Sequence, residues 1–364
     1  MLVYINDYLF YALFALFALF AGYTRYTRYT RYTATPLIQR VLIVKLSSLG
    51  DVVHTVPLFH DLRLAYPRAE IDWVVEEAFV DLLTPLGLSR VIPLGLRRWR
   101  KALCRLDFTP LAEGVAFYNH LRQVKYDLII DAQGLIKSAF VARLAKGGFK
   151  GTIVGLANRT IDSGYEPCVR LLYDVQMTVE PKIHAVERSR WLALGRPSTN
   201  WPTFYPPGLG LSGSIPLNLK RGRYILFFHA TAGAKKRWAD SHWMALGQRL
   251  NGQGYTVVLP WGTAKERLTS LNLASAIPGA FVPEALSLAE FFPLILNARC
   301  TIGIDTGLTH LAAALLCPTV QLYLSTWQWK FRGYWHPGCV NLGDKGLPLT
   351  VDDVVQALPR MNSF

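Results

Sequence analysis

One stretch of the sequence combines residue types that suit phosphate binding. Residues 304–316 read IDTGLTHLAAALL, so Asp305, Thr306 and Gly307 end an apolar run and open a helical pattern, with His310 one turn later. The N–H groups at the start of such a helix can hold a pyrophosphate. The alternative is structural: Asp305 caps the helix and His310 is a hydrogen-bonded core histidine.

A second stretch, HATAGAKKRW at 229–238, has similar potential. Thr231 offers a hydroxyl, Ala232 and the glycine after it leave backbone N–H groups accessible, and Lys236 supplies compensating charge. An ordinary solvated basic loop is the alternative. Taken together with Asp305, and with Glu266 placed to bind ribose hydroxyls, this loop favours a nucleotide diphosphate site.

Asp51 is the candidate for proton transfer. It follows an apolar run and a Ser-Ser-Leu-Gly turn, at the start of a helical pattern, and His54 lies on the same predicted helix face. A carboxylate that projects into a binding cleft can accept a proton from an attacking hydroxyl. The competing interpretation is that Asp51 only caps the helix.

Four cations surround Trp99 in LRRWRK at 96–101, namely Arg97, Arg98, Arg100 and Lys101. Charge clusters are usually solvated surface. Arginine side chains also bind phosphate and carboxylate in a bidentate manner, so an anionic acceptor is the alternative. We expect no nucleic-acid partner, because basic and aromatic residues alternate only in this one stretch.

Composition and missing motifs exclude several classes of protein. Apolar residues make up 51% of the 364 residues and charged residues 18%, which excludes a disordered chain. The formal charge of +14 favours a polyanionic partner. Patterns typical of redox dinucleotide sites, P-loops, serine hydrolases and zincins are absent. Five widely spaced cysteines without CxxC indicate neither a disulfide framework nor a zinc site.

Short apolar runs in two series predict the elements that position these residues. The first series reads VLIVKL from residue 41, IDWVVEE at 71–77, RVIPL at 90–94 and YDLIIDAQG at 126–134, and the second reads YILFFHAT, YTVVLPWG, CTIGIDTG and TVQLYLS. They predict two parallel α/β, Rossmann-like domains facing across a cleft, with ligands beyond the carboxyl ends of the strands. A Pro-, Gly- and Ser-rich linker at 196–223 separates them. The predicted boundaries are 37–200 for the first domain and 201–364 for the second.

The first 36 residues do not fit this pattern. They repeat ALF and then YTR three times each, a period of three that matches neither a helix nor a strand. The apolar run 8–22 would span only about 22 Å as a helix, short of a bilayer core of roughly 30 Å. We interpret 1–36 as an extension outside the fold. A membrane-touching segment and a cleaved signal are the alternatives.

In these motifs the chain resembles the lipopolysaccharide heptosyltransferases. The matching text spans residues 40 to about 323 and reads VLIVKLSSLGDVVHT, IDWVVEE, RVIPLGLRRWRK, YDLIIDAQGLIKSA, HAVERSR, HATAGAKKRWADSHW, LPWG and IDTGLTHLAAAL. The resemblance implies a two-domain GT-B fold, with 37–200 as the acceptor-side domain and 201–364 as the nucleotide-sugar-binding domain. It also implies an ADP-activated heptose donor, inversion at the anomeric carbon, and no metal or other cofactor.

The resemblance also implies roles for individual residues. Asp51 would be the catalytic base, and the stretch 97–101 would bind the acceptor. The donor would be bound by Thr231, Ala232 and Lys236 through its phosphates and sugar, by Glu266 through its ribose, by the backbone of Leu286 through its adenine, and by Asp305, Thr306, Gly307 and His310 through its sugar and diphosphate. Three positions depart from the family pattern: Ala232 replaces a threonine, Tyr165 an arginine, and 324–327 a Gly-Pro-Thr-Asp run.

The expected reaction is transfer of the first L-glycero-D-manno-heptose from ADP-heptose to Kdo-lipid A in the lipopolysaccharide inner core. DAQGLIKSA and HAVERSR favour this type over a second-heptose transferase, which remains an alternative. A catalytically weakened nucleotide- or lipid-binding protein is another. We expect a monomeric, peripheral enzyme at the cytoplasmic face of the inner membrane.

Overall fold

The computed structural model describes residues 38–196, 199–211, 213–216, 218–231 and 233–358. These residues form two compact units. The first contains the described residues up to Ser47 together with Thr55–Asn200, and the second contains Ser48–His54 and the described residues from Trp201 onward. The predicted extension 1–36 and the candidate Ala232 lie outside the described residues.

The first unit is built on a six-stranded parallel sheet in the order β3-β2-β1-β4-β5-β6. Its strands are β1 Arg40–Val44, β2 Glu70–Glu76, β3 Arg90–Leu94, β4 Leu128–Asp131, β5 Thr152–Leu156 and β6 Val175–Met177. The central strand β1 is buried from residue 41 to 44, because it pairs with β2 on one side and β4 on the other. From β1 the chain adds β2 and β3 on one side and then β4, β5 and β6 on the other. The position between β1 and β4 is therefore the switch point of a doubly wound sheet.

Helices cover this sheet. They are α1 Leu49–Ala65, α2 Val80–Leu83, α3 Leu96–Leu103, α4 Thr109–Leu121, α5 Ile136–Lys146 and α6 Ala185–Leu194. The first turn of α1, up to His54, clusters with the second unit, and the rest of the helix with the first. Each parallel strand pair needs such a crossover connection, which explains the alternation of strands and helices along the chain.

The second unit contains a five-stranded parallel sheet in the order β11-β10-β9-β7-β8. Its strands are β7 Tyr224–Phe228, β8 Thr256–Val258, β9 Cys300–Ile304, β10 Thr319–Tyr323 and β11 Cys339–Gly343. Its helices are α7 Asp240–Gly252, α8 Ala264–Ala276, α9 Leu288–Leu296, α10 Gly307–Ala314, α11 Gln328–Phe331 and α12 Val351–Ala357. The core packs Trp238, Trp243 and Phe227 against aliphatic residues of the central strands. None of the helices in the described part of the chain has both the length and the apolarity needed to cross a membrane.

The predicted α/β class with two parallel sheets is confirmed. All eight predicted runs contain strands, and RVIPL matches β3 residue for residue. Three strands were missed, namely β5, β6 and β11. Both β6 and β11 lie at sheet edges and are only half-buried, so their sequences lack the continuous apolar run of a central strand.

Candidate functional site

The carboxylate of Asp305 is the centre of the candidate site. Asp305 follows β9 directly and is buried. Lys236 Nζ donates a hydrogen bond of 2.6 Å to its Oδ2, and His310 Nε2 lies 2.9 Å from its Oδ1. A buried carboxylate accepts hydrogen bonds only, so the His310 ring carries its proton on Nε2 in this contact. Asp305 thus fixes the positions of a cation and an imidazole on two different elements.

The surroundings of Asp305 keep it ionised. Burial by itself favours the neutral acid and raises the pKa of this carboxyl group. The hydrogen bond from His310 and the positive charge of Lys236 act in the opposite direction and outweigh burial, so the pKa of Asp305 lies well below its ordinary value. The site therefore contains a fixed negative charge that orients Lys236.

The helix that follows Asp305 begins in very close contact with the turn before Asp51. Thr306 is the extended N-cap residue of α10, and Gly307 is its first helical residue. A β-carbon at Gly307 would lie 2.8 Å from Leu49 Cβ and 2.9 Å from Gly50 N, so only glycine fits there. This contact places the backbone of the Asp51 turn directly on the N-terminus of α10.

Asp51 itself lies in the first turn of α1 and is half-buried. Its Oδ2 accepts the backbone N–H of Ser48 at 3.1 Å and the Ser48 hydroxyl at 2.7 Å. Asp51 therefore does cap the helix, as the structural alternative predicted. A carboxylate has about four acceptor positions, so capping and proton acceptance are compatible in one side chain.

His54 strengthens the link between the Asp51 turn and the Asp305 cluster. Its ring is buried and its centroid lies 4.4 Å from that of His310 and 5.7 Å from that of Phe331, nearly parallel to the phenylalanine. The sequence predicts that His54 lies on the same helix face as Asp51, but it does not predict that His54 packs on His310. A contact between residues so far apart in sequence can be recognised only from the tertiary structure.

The remaining described donor candidates lie on loops and on a helix start that follow strands of the second sheet. Thr231 follows β7, and its Oγ1 is 3.5 Å from the N–H of Gly233. Glu266 lies in the first turn of α8, where its Oε2 accepts the N–H of Gly262 at 2.9 Å. Leu286 lies just before α9 and is half-buried.

Strand order explains how these loops relate to each other. The carboxyl ends of β9, β7 and β8 are neighbours, and an isolated bridge between Val258 and Phe281 extends the series by one step. With strands about 4.8 Å apart, the loops that carry Asp305, Lys236, Glu266 and Leu286 follow one another over roughly 14 Å. The structure thus brings Lys236 and His310 into contact with Asp305 and places Gly307 at the start of the helix that carries His310. The other described candidates of the second unit follow in a row.

A buried histidine, His229, connects two of the elements that carry these candidates. His229 follows β7 directly, and its Nε2 lies 3.0 Å from the hydroxyl of Ser270 in α8. Desolvation lowers the pKa of His229 to about 4. The ring is therefore neutral near pH 7 and joins the β7 loop to the α8 helix without adding charge.

The basic stretch 97–101 lies in the first unit, on α3, and its members differ in their surroundings. Arg98 forms ion pairs with Glu77 at 3.1 Å and with Glu113 at 2.7 Å. The guanidinium of Arg97 lies over the Phe79 ring, 5.3 Å from its centroid. Arg100 and Lys101 are exposed. The charge of Arg98 is thus balanced within the fold, which the sequence did not predict.

Lys137 was not among the predicted site residues, although it lies in the quoted DAQGLIKSA motif. It is half-buried in the first turn of α5, and burial lowers its pKa. Glu76 and Glu166 oppose this shift, while Arg97 and Arg100 add to it, so all four charges act on Lys137. Its position shortly after the carboxyl end of β4 is the feature of the sequence that could have indicated it.

In the described ranges, no three His, Cys, Asp or Glu side chains are grouped so that they could hold a metal ion.

The lowered pKa of Asp305 has a measurable consequence. Asp305→Asn should lower the free energy of unfolding by about 1–3 kcal/mol at pH 7, because it weakens two hydrogen bonds to a charged acceptor. A lowered pKa contributes stability that is present above the unfolded-state pKa of about 3.9 and is lost as the pH falls through the folded-state value. Denaturant titrations should therefore give an undiminished difference from pH 7 to about 4.5 and a smaller one below.

Asp352→Asn is the matched control, since its ion pair with Arg249 is exposed and should contribute little. If the effect of Asp305→Asn had already disappeared at pH 5.5, Asp305 would not be the ionised centre of this cluster.

Comparison with known proteins identifies the family. The model of glycosyltransferase family 9 (heptosyltransferase) matches residues 115–344. Lipopolysaccharide heptosyltransferase 1 of Pseudomonas aeruginosa is 39% identical to this chain over 309 residues, which are 84% of this chain and 83% of the relative.

Two solved structures of the Escherichia coli heptosyltransferase WaaC are also similar, both at 33% identity. The complex with ADP has a TM-score of 0.76 and matches 89% of this chain and 100% of that one. The complex with ADP-2-deoxy-2-fluoro heptose has a TM-score of 0.72 and matches 88% and 99%.

The two parallel α/β units, together with this likeness, confirm the predicted GT-B fold. The predicted enzyme class, a glycosyltransferase, is confirmed as well. The chain belongs to glycosyltransferase family 9, the heptosyltransferases.

Proposed function

We propose that this enzyme transfers L-glycero-D-manno-heptose from ADP-heptose to Kdo-lipid A, with inversion at the anomeric carbon, and so adds the first heptose of the lipopolysaccharide inner core. One observation carries the proposal: the Asp51 turn packs on the start of the helix that follows the Lys236–Asp305 pair. The name of the Pseudomonas relative and the donor analogue named for WaaC support the choice of substrates.

The donor would lie along the row of loops in the second unit. Lys236, Thr231 and the N–H groups at Thr306 and Gly307 suit the diphosphate, because they offer positive charge, a hydroxyl and the positive end of a helix. Asp305 and His310 would position Lys236 and the heptose. Ala232 stays a predicted donor contact and lies outside the described residues.

Glu266 and Leu286 would bind the nucleoside. The Oε2 atom of Glu266 accepts the N–H of Gly262, and this hydrogen bond fixes the carboxylate. Its other oxygen would accept hydrogen bonds from ribose hydroxyls. The backbone of Leu286, one step further along the row, would contact adenine. The order of the loops thus matches the order diphosphate, ribose and base.

The chemistry needs one base and a stabilised leaving group. Asp51 would accept the proton of an acceptor hydroxyl while the oxygen attacks C1 of the heptose. The bond between C1 and the phosphate oxygen breaks, and its electron pair leaves with ADP. Lys236 and the α10 N-terminus would balance the negative charge that develops on the diphosphate. One displacement of this kind inverts C1.

The anionic acceptor would bind to the first unit through Arg97, Arg100 and Lys101, together with Lys137. Carboxylate and phosphate groups suit arginine, whose planar fork donates two parallel hydrogen bonds. Arg98 would instead hold α3 in place through Glu77 and Glu113. As part of the same proposal, we expect a monomer that acts peripherally at the cytoplasmic face of the inner membrane, without a nucleic-acid partner.

A product assay tests the proposed reaction. With ADP-heptose in excess, the enzyme should release one ADP per Kdo-lipid A and increase the acceptor mass by one heptose. Turnover only on an acceptor that already carries one heptose would instead indicate a second-heptose transferase. Saturable donor binding without ADP release would indicate a binding protein.

The role of Asp51 can be separated from its capping role. Asp51→Asn keeps an oxygen that can accept from Ser48 but cannot take up the proton, so kcat should fall about 10²- to 10⁴-fold while the Kd for ADP stays the same. Ser48→Ala is the matched control, because it removes the capping hydroxyl and keeps the carboxylate. Equal losses of kcat in the two variants would make Asp51 a cap and not a base.

We expect substitutions of the α3 cations to have two different effects, one on acceptor binding and one on stability. Arg97→Ala combined with Arg100→Ala should raise the KM for Kdo-lipid A and weaken its dependence on ionic strength, because exposed charges are screened within about 8 Å at physiological salt. Arg98→Ala should chiefly lower the melting temperature. A larger increase in acceptor KM for Arg98→Ala than for the double variant would contradict this division.

A further inference from the structure

An apolar surface on α4 and the loop before it has no covering element in the described part of the chain. We call it the α4 patch: Leu106, Phe108, Leu111 and Val115. Their exposed fractions are 79%, 63%, 55% and 53%, respectively. Single exposed apolar residues are common, but four large ones within ten positions are a concentration of the kind that marks an interaction site.

The spacing of these residues places three of them on one helix face. Phe108 is the N-cap residue of α4, and Leu111 and Val115 follow at intervals of three and four, which brings them to the same side. The opposite side is used inside the fold, since Phe117 packs on Trp99 and Glu113 binds Arg98. The helix is thus anchored through one face and presents the other to its surroundings.

The loop tip is also built to expose an apolar side chain. Leu106 has a φ of 60°, in the left-handed region that glycine or asparagine adopts at a lower cost. The next residue, Asp107, accepts the N–H of Thr109 at 3.0 Å and so fixes the entry to α4. A strained, outward-facing leucine at a fixed tip is a feature that folding of the unit alone does not require.

The charges beside the α4 patch are positive. Lys101 and Arg105 are exposed and form no ion pair with any described residue, and Arg100 is exposed on the same helix as Lys101. The nearby carboxylates are engaged, Glu113 by Arg98 and Asp107 by Thr109. Apolar side chains flanked by lysine and arginine match the interface of an anionic bilayer, where apolar groups enter the acyl boundary and cations remain at the headgroups.

We propose that the α4 patch is the surface through which the enzyme docks on an anionic lipid bilayer. The proposal rests on the proposed function in one respect, namely that a lipid acceptor lies in such a bilayer. It adds a location: the patch continues from the helix that carries Arg97, Arg100 and Lys101. Docking there would bring the acceptor-binding cations to the headgroup layer.

A thiol of the chain itself provides the probe. Cys104 is exposed and lies two residues from Leu106, at the end of α3. The control position is Leu64, exposed near the end of α1. Because α1 leaves the carboxyl edge of the first sheet and its 17 residues span about 25 Å, Leu64 lies toward the opposite edge.

The experiment uses the full chain and vesicles without acceptor. One variant, Cys168→Ser, is labelled at Cys104 with a fluorophore. A second carries Leu64→Cys with Cys104→Ser and Cys168→Ser. Nitroxide-labelled acyl chains in phosphatidylglycerol/phosphatidylcholine vesicles should quench the Cys104 label strongly and the Leu64→Cys label weakly, and phosphatidylcholine vesicles should quench neither. Absence of quenching at Cys104, or equal quenching at both positions, would overturn the proposal.

A pair of variants tests the apolar residues directly. Leu111→Ser with Val115→Ser should weaken vesicle binding about tenfold or more and reduce quenching at Cys104, while ADP affinity and melting temperature are unchanged. Leu64→Ser with Leu268→Ser, two leucines of similar exposure, is the matched control and should have little effect. An equal effect of both pairs would overturn the proposal.

Sedimentation without lipid tests whether a second copy of the chain covers the α4 patch. A shift from dimer to monomer caused by Leu111→Ser with Val115→Ser would assign the α4 patch to a second copy of the chain and overturn bilayer docking. Quenching, vesicle binding and sedimentation do not depend on heptose transfer. The outcome therefore stays separate from success or failure of the proposed reaction.

Discussion

The buried negative charge of Asp305 is the constraint on which the candidate site depends. A carboxylate in this position is tolerated only because Lys236 and His310 satisfy it, and these two residues come from different loops. The strand order makes the arrangement possible, since β9 lies beside β7 in the sheet. Removing the charge would leave a lysine without its orienting partner, so Asp305 sets the position of the cation as well as its own.

A second constraint is the contact between two glycine-containing turns. Gly307 begins α10, Gly50 precedes Asp51, and their backbones approach so closely that a β-carbon at Gly307 would collide with the Leu49–Gly50 segment. His54 and His310 pack together just beyond this contact. The segment Ser48–His54 therefore belongs by its contacts to the second unit, although α1 continues into the first. A candidate base and a candidate phosphate site are joined by packing that neither motif reveals alone.

Much of the fold could be predicted because buried parallel strands have a simple signature, a short apolar run followed by a polar turn. Strand β11 was missed because an edge strand is less buried, so its sequence need not be a continuous apolar run. For the site, the structure brings the predicted loops around Lys236 and Asp305 together and packs the Asp51 turn on the start of α10, while the roles of these residues stay predictions. The pairing of Arg98 with Glu77 and Glu113 could not be predicted, because three residues well separated in sequence show no periodicity that links them. For the same reason, the charges around Lys137 became visible only in three dimensions.

The charges and the helix start together imply that a diphosphate binds where Lys236, Asp305 and the start of α10 meet. A crystal structure of this chain with bound ADP tests it most directly. We expect phosphate oxygens within hydrogen-bond distance of Lys236 Nζ and the N–H of Gly307, with the ribose at Glu266. ADP bound at another edge of the sheet, with Lys236 still held only by Asp305, would show that this cluster is not the diphosphate site.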